Sequence, residues 1–246
     1  MADLESGQYP LACPHNPIRE VAPDIFFVGG SIRMKPLMRI SRNMVVIRTG
    51  DELTLINPIR LLPQAETELE NLGTVKHAVR LGPFHGCDDP YTVQRFNTRF
   101  WCQPGSSVYP NPAPTDELKE DGPLPIPDAQ LFEFRETIKP ECALLIKRGN
   151  GLLLTCDSLQ HYGDFSRQSL LAKAVMPFLG FGRRMLVGPM WLKGLTKRGS
   201  TLRNDFERLL ELEFDALISA HGTPLMHGAK EAVRTAVARA KFDVKQ

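Results

Sequence analysis

Short apolar runs alternate with stretches that place apolar residues at helical spacing, from residue 24 almost to the end of the chain. Runs rich in leucine, β-branched and aromatic residues predict strands at residues 24–28, 43–48, 52–56, 75–81, 131–134, 142–147, 152–155 and 216–219. Helical spacing predicts helices at residues 63–72, 202–212 and 229–242. The strand, helix and strand between residues 52 and 81 have short connections, so they predict a βαβ unit whose carboxyl-end loops favour ligands.

Four segments fall outside this pattern. Residues 1–20 contain three prolines and predict an irregular N-terminal arm, and residues 103–128 contain seven and predict a surface loop, either functional or a disordered insert. Residues 33–42 hold four basic residues and no acid, which predicts a solvated loop, with anion binding as the alternative. Residues 165–204 carry eight Lys or Arg and no Asp or Glu, interleaved with methionine and aromatic residues. They predict one or two helices covering a sheet, with a basic surface for an anionic amphipathic substrate or a membrane as the alternative.

Potential metal ligands follow three of the predicted strands. The loop after the strand at 75–81 holds an imidazole, a thiol and two carboxylates within five residues, and two later strands end close to a carboxylate and an imidazole. If these strand ends meet, they form one site. The potential ligands are His85, Cys87, Asp88, Asp89, Asp157 and His221.

The composition narrows the class of protein. The chain has 246 residues, 42% hydrophobic and 24% charged, which predicts one globular domain over residues 1–246. Lys and Arg exceed Asp and Glu by only 30 to 28, so charge gives no reason to expect nucleic acid. Five widely spaced cysteines without a Cys-x-x-Cys pair argue against a disulfide framework and a zinc ribbon. Without a signal-peptide pattern or an apolar run of membrane-spanning length, we expect a cytoplasmic protein.

The strand order and the residues at the strand ends resemble the metallo-β-lactamase fold superfamily. Residues 53–58 look like the end of that family's first motif, with Asn57 where aspartate is usual. The second motif, His-x-His-x-Asp-His, aligns without gaps so that His85 matches its second histidine. Cys87 then stands at the aspartate and Asp88 at the last histidine.

Three later motifs continue the resemblance. Residues 137–141 look like the third motif, with Ile138 in the histidine position. Asp157 matches the bridging aspartate of the fourth motif, and residues 219–224 are similar to the final motif around His221. The resemblance implies an α/β fold, a four-layer αββα sandwich of two mixed β-sheets flanked by helices, with a zinc or sometimes an iron site at one edge. It also implies hydrolysis through a metal-bound hydroxide.

The ligands that are retained indicate a single metal ion. Because four of the seven usual ligand positions are changed or lost, we predict one divalent ion, zinc first and iron as the alternative. His85, Asp157 and His221 form the core of this predicted site. Asp88 or Cys87 is the predicted fourth ligand.

The predicted function is metal-dependent hydrolysis of an ester, lactone, thioester or phosphoester by a metal-bound water. Asp157 and Asp88 are the predicted catalytic carboxylates, and His161, four residues past Asp157, is the candidate proton donor.

We expect a small-molecule substrate, anionic or amphipathic, with a membrane surface as the less favoured partner. The sequence leaves the oligomeric state open. The alternatives are a non-catalytic binding or scaffold protein with a vestigial site, and nucleophilic catalysis by Cys87, which the adjacent carboxylates disfavour.

Overall fold

Two β-sheets form the centre of the fold in the computed structural model, which describes residues 9–105 and 108–242. The first sheet has seven strands that lie side by side in chain order. Its first four strands pair antiparallel and the remaining ones pair parallel, so the sheet is mixed. These strands are β1 (Arg19–Ala22), β2 (Ile25–Lys35), β3 (Met38–Thr49), β4 (Glu52–Ile56), β5 (Thr74–Arg80), β6 (Arg99–Cys102) and β7 (Asp116–Glu117).

The second sheet is built from the later part of the chain. Its strands are β8 (Ala129–Glu133), β9 (Cys142–Ile146), β10 (Leu152–Thr155) and β13 (Ala216–Ser219), in the order β13-β10-β9-β8. A separate antiparallel pair is formed by β11 (Leu159–His161) and β12 (Met185–Val187). The helices are α1 (Pro63–Leu72), α2 (Asp89–Phe96), α3 (Leu170–Val175), α4 (Pro189–Leu195), α5 (Arg203–Leu209) and α6 (Ala229–Arg239), and a short 3₁₀ helix spans Met176–Leu179.

The apolar residues pack in three layers. The uninterrupted Leu152-Leu153-Leu154 run of β10 explains the arrangement, since successive strand residues point to opposite faces of the sheet. Leu152 and Leu154 pack in the core between the two sheets, and Leu153 packs in the core beneath α4, α5 and α6. A third core lies between the first sheet and α1. The fold is therefore a four-layer αββα sandwich, as predicted.

The eight predicted strands and three predicted helices are present, with differences of a few residues at their ends except at β2 and β3, which extend further. Helix α1 has the predicted bounds, and β4 and β5 pair parallel around it, which confirms the βαβ unit. The strands that sequence patterns missed are β1, β6, β7, β11 and β12, which have at most four residues each and so offer too short a pattern. Helix α2 was also missed.

The prediction of a loop at residues 33–42 is wrong. Strands β2 and β3 continue through this segment as one long antiparallel hairpin, with Ser31 paired to Ser41 and Arg33 paired to Arg39. Backbone hydrogen bonds carry the hairpin, so it does not need a continuous apolar sequence. The alternation of polar and apolar residues in Ser31-Ile32-Arg33-Met34 was the available signal.

The other irregular segments are partly ordered. Within residues 165–204, α3 and α4 confirm the predicted helices, but the segment also contains β12. In the proline-rich segment 103–128, Leu118 and Ile126 pack in the core between the sheets, so its described part is anchored. Of the predicted N-terminal arm, residues 1–8 lie outside the described residues, and β1 begins at Arg19.

We predict that Leu154→Ala lowers the free energy of unfolding by about 2–5 kcal/mol, because it opens a cavity in the core between the sheets. Leu170→Ala is the matched control, since Leu170 is 84% exposed and its truncation should change stability by less than about 0.5 kcal/mol. Urea denaturation of both variants measures the difference. Equal effects of the two substitutions would contradict the assigned layers.

Candidate metal centre

Three strand ends meet at one edge of the sandwich. Strands β10 and β13 are parallel neighbours in which Thr155 pairs with Ser219, and Asp157 and His221 each follow two residues later. His85 comes from the other sheet, on the loop after β5. The site therefore lies where the carboxyl ends of strands from both sheets converge.

His85, Asp157 and His221 lie in mutual contact. The Nε2 atoms of the two histidines are 3.1 Å apart. Asp157 Oδ2 lies 3.3 Å from His85 Nε2, and Asp157 Oδ1 lies 3.1 Å from His221 Nε2. Each carboxylate oxygen thus faces one imidazole, and the structure brings together the three residues predicted as the core of the site.

These spacings fit a metal ion. Two ligand atoms bound tetrahedrally to zinc at bonds of about 2.0 Å are separated by about 3.3 Å, close to the three observed distances. His221 Nδ1 donates a hydrogen bond to the Ser41 carbonyl at 2.6 Å, which fixes the tautomer and leaves Nε2 as a lone-pair donor towards the site. The donor set of two imidazoles and a carboxylate suits zinc or iron.

Burial and charge also set the protonation states of His85 and Asp157. Burial lowers the pKa of His85 to about 4, so its imidazole is neutral at pH 7. Burial would raise the pKa of Asp157, but its interactions with His85 and His221 outweigh burial and hold that pKa below its usual value. A neutral imidazole beside an ionised carboxylate is the protonation state that metal binding requires.

A second group also brings ligand atoms close together. Among the described residues, two groups have ligand atoms that all lie within 4.8 Å of one another, the one above and Glu141, Cys156 and Asp157. In the second group, burial raises the pKa of the Cys156 thiol well above its usual value, and one Glu141 oxygen accepts two backbone hydrogen bonds. A protonated thiol is a poor metal ligand, so the first group is the candidate site.

The predicted fourth ligands are not brought into the group of three. Cys87 and Asp88 lie beside the guanidinium of Arg42, which is only 2% exposed. Arg42 Nη1 lies 2.6 Å from Cys87 Sγ and 3.8 Å from Asp88 Oδ2, and Arg42 Nη2 donates to the His85 carbonyl at 2.8 Å. The buried Arg42 guanidinium therefore interacts with both Cys87 and Asp88.

The Cys87 thiol is not activated as a nucleophile. Burial raises its pKa, and the opposing effect of the Arg42 guanidinium does not reverse the shift. Because the thiolate is the reactive form, this supports the argument against nucleophilic catalysis by Cys87.

His161 lies next to the loop that carries His221. It ends β11, is half-buried, and its Nδ1 donates to the Thr223 carbonyl at 3.0 Å. This hydrogen bond fixes the orientation of the imidazole ring. Its role as a proton donor stays a prediction.

Sequence patterns missed the residues that hold the ligands in place. Glu141 is fully buried, and its Oε1 accepts hydrogen bonds from the backbone N–H groups of Asp157 at 3.0 Å and Ser158 at 2.6 Å. Burial and the charge of Asp157 raise the pKa of Glu141 well above its usual value. The signal in the sequence was a lone acid directly before an apolar strand, at the end of the segment compared with the third family motif.

Two buried asparagines join the sheets at the site. Asn43 Nδ2 donates to the carbonyls of Ser219 and Gly222. Asn57 Nδ2 donates to the Thr155 carbonyl, and its Oδ1 accepts from Leu81 N–H. At Asn57, where the compared motif has aspartate, the amide thus both donates and accepts, which a carboxylate cannot do.

Comparison with known proteins gives a clear result for the fold. VMB-1 superposes with a TM-score of 0.64 and 13% identity over 91% of this chain and 97% of its own. The FIM-1 metallo-β-lactamase from Pseudomonas aeruginosa, in its mono-zinc form, gives 0.61 and 11% over 94% and 97%. A metallo-β-lactamase from Erythrobacter litoralis gives 0.58 and 10% over 93% and 96%.

The chain therefore has the metallo-β-lactamase fold, at a sequence identity too low to carry a substrate class. No protein-family model matches the chain, and no curated protein matches it either. No helix among the described residues has the length and apolar character needed to cross a membrane.

In the metal-free protein, we predict that the contribution of His85 to stability falls as the pH drops from 6.5 to 4. His85 stays neutral in the fold down to about pH 4, whereas in the unfolded chain it takes up a proton near 6.5. At this position the unfolded state then binds more protons, so the contribution of His85 to the free energy of unfolding should decrease by about 3 kcal/mol over this interval. Urea unfolding at several pH values, in the presence of a chelator, measures this change in the free energy of unfolding.

His85→Asn is the control for this prediction, because asparagine does not titrate between pH 4 and 6.5. The variant should lose that part of the pH dependence. The same pH dependence in the variant and the wild type would show that other groups cause it.

Proposed function

We propose that the protein is a hydrolase that uses one divalent metal ion, zinc first and iron as the alternative, held by His85, Asp157 and His221. The observation that carries this proposal is the mutual spacing of 3.1–3.3 Å between one donor atom of each histidine and the Asp157 carboxylate. Structural neighbours support it, because one of them is a metallo-β-lactamase described in a mono-zinc form. The substrate class follows from neither observation alone.

The arrangement favours one ion and an open coordination position. Cys87 and Asp88 stand where the resemblance places further ligands, and the buried Arg42 guanidinium already interacts with both. A second metal ion bound by Cys87 and Asp88 would lie next to the positive charge of Arg42, which disfavours it. A metal held by these three residues would have a fourth position open to water or substrate, as in catalytic rather than structural zinc sites.

The residues of this chain divide the remaining tasks. When bound, the metal would lower the pKa of a water molecule and polarise the acyl or phosphoryl oxygen of the substrate. Asp157 supplies the anionic ligand, and the Ser41 carbonyl orients His221. His161, held by Thr223, is the candidate to transfer a proton to the leaving group.

The substrate we propose is a small anionic or amphipathic molecule with an ester, lactone, thioester or phosphoester bond. The basic segment 165–204 begins close to the site, since Gln168 Nε2 donates to Ser41 Oγ, and Ser41 in turn holds His221. Tyr162 packs against Phe165 and Phe181 of this segment. Exposed Arg183 and Arg184 lie further along the segment and would attract an anionic substrate.

The alternative is a non-catalytic protein in which the same three residues form only a hydrogen-bonded cluster. The short contacts favour it as a second candidate, because a protonated imidazole beside Asp157 would satisfy similar distances. The two functions differ in metal content. A vestigial site retains no stoichiometric metal in protein purified without chelator, and a mononuclear hydrolase retains one ion per chain.

We predict that Asp157→Ala removes both the bound metal and hydrolysis, because it deletes the only anionic ligand of the group. His161→Ala should keep one metal ion per chain and lower kcat by about 10²–10⁴ if it transfers a proton. His227→Ala is the matched control, since His227 is exposed and paired with Asp215. Elemental analysis and a panel of chromogenic esters, lactones, thioesters and phosphodiesters are the measurements.

Two results would contradict the proposal. Metal-free Asp157→Ala protein that retains full hydrolysis would exclude the mechanism. Wild-type protein that carries about two ions per chain would exclude the single-ion site, because a second ion requires a second set of ligands.

We predict a positioning role for Glu141, through the backbone of Asp157. Glu141→Ala leaves two backbone N–H groups without an acceptor and should weaken zinc affinity by about 10–100-fold, as loss of an outer-shell partner does. Glu141→Gln keeps an oxygen acceptor and should retain most of the affinity. Competition with a zinc chelator measures both variants, and equal affinities in the two would exclude the role.

A further inference from the structure

Large apolar side chains are exposed on two segments near the candidate site. Of the eleven that are exposed among the described residues, six lie within residues 34–37 and 170–179. The most exposed are Phe178 at 92%, Leu37 at 85% and Leu170 at 84%. Such a concentration in two short segments marks an interaction surface rather than scattered surface residues. The six residues are Met34, Leu37, Leu170, Leu171, Phe178 and Leu179.

The two segments are joined into one surface, here named the hairpin–helix face. Arg39 N–H donates to Ser169 Oγ at 3.1 Å, and Ser169 N–H donates to the Arg39 carbonyl at 2.9 Å. Beneath these bonds, Met38 and Ile40 of β3 pack against a cluster that contains buried Met176 of the 3₁₀ helix. The tip of the β2–β3 hairpin and the α3–3₁₀ segment therefore present their exposed residues side by side.

The net charge of this face is positive. Six exposed basic residues lie on these two segments or close to them in the chain, and neither residues 25–50 nor residues 165–204 contain an Asp or Glu. The nearest acid in sequence is Asp164, which accepts a hydrogen bond from Ser166 N–H. Asp164 also interacts electrostatically with Arg183, so an anionic surface would meet a face of net rather than exclusively positive charge. The six basic residues are Arg33, Lys35, Arg39, Lys173, Arg183 and Arg184.

Leu37 adds an independent observation. It lies at the turn between β2 and β3 with φ of 64°, in the left-handed region where a bulky residue is strained and glycine is favoured. A leucine that is both strained and 85% exposed contributes neither packing nor turn geometry to the fold. Backbone strain of this kind is an indication of function.

We propose that the hairpin–helix face docks the protein onto an anionic lipid surface, with Leu37, Leu170 and Phe178 entering the boundary between headgroups and acyl chains. Protruding apolar side chains surrounded by Lys and Arg are typical of proteins that lie on membranes. Protein–protein interfaces bury their apolar residues in a continuous core that is depleted in charged residues. The interleaving of bases with isolated protruding side chains favours lipid over a protein partner.

Vesicle cosedimentation tests this proposal without any need for activity. Wild-type protein should sediment with vesicles of phosphatidylcholine and phosphatidylglycerol and much less with phosphatidylcholine alone. Arg183→Gln with Arg184→Gln should lower the partition coefficient about thirtyfold, because each basic residue near an anionic surface contributes about fivefold. Phe178→Ser should lower it about tenfold through lost burial of the ring.

The Leu37→Gly variant distinguishes a loss of vesicle binding from a loss of stability. Glycine relieves the strain at φ of 64°, so the melting temperature should rise while vesicle binding falls. Leu11→Ser is the matched control, since Leu11 is 81% exposed but lies outside the face, and its vesicle binding should equal that of the wild type.

Two outcomes would overturn the proposal. The first is wild-type protein that stays in the supernatant with anionic vesicles, or face variants that bind them as the wild type does. The second is a wild-type dimer in sedimentation velocity that Phe178→Ser dissociates, which would make a second copy of this chain the occupant of the face.

Discussion

The Asp157 carboxylate between two imidazoles is the interaction on which the site depends. It joins His221, from the same sheet, to His85, from the opposite sheet, at 3.1 and 3.3 Å. A buried ionised carboxylate is unfavourable unless cations or hydrogen bonds compensate it. Here the compensation comes from both histidines, so the site is stable only when the two sheets meet at this edge.

Several buried polar side chains around the site hold the strand ends of the two sheets together. Asn43 and Asn57 reach from the first sheet to backbone carbonyls of the second. Glu141 accepts hydrogen bonds from the backbone N–H groups of Asp157 and Ser158. The Ser41 carbonyl orients His221, and Ser41 lies on the hairpin that also carries the exposed basic and apolar face. A substrate presented at a lipid surface would thus arrive at the hairpin whose Ser41 carbonyl orients His221.

The sequence was sufficient to predict the layers and the convergence of three residues at one edge, because the signal for each is local. His85, Asp157 and His221 each follow an apolar run, and parallel pairing of β10 and β13 places the last two side by side. The partner of Cys87 and Asp88 was beyond such reasoning, because Arg42 lies 45 residues from Cys87 in the chain, in a segment whose charge predicted solvent exposure. The buried Arg42 therefore determines whether the side chains of Cys87 and Asp88 remain available to bind a metal.

The direct test of the account is anomalous diffraction at the zinc absorption edge from crystals grown with zinc. The account predicts a single strong peak between the Nε2 atoms of His85 and His221 and the carboxylate of Asp157, with Arg42 still between Cys87 and Asp88. Two peaks, or one peak bound by Cys87 and Asp88 with Arg42 displaced, would contradict the single-ion site, and crystals without any peak would make the cluster a hydrogen-bonded remnant.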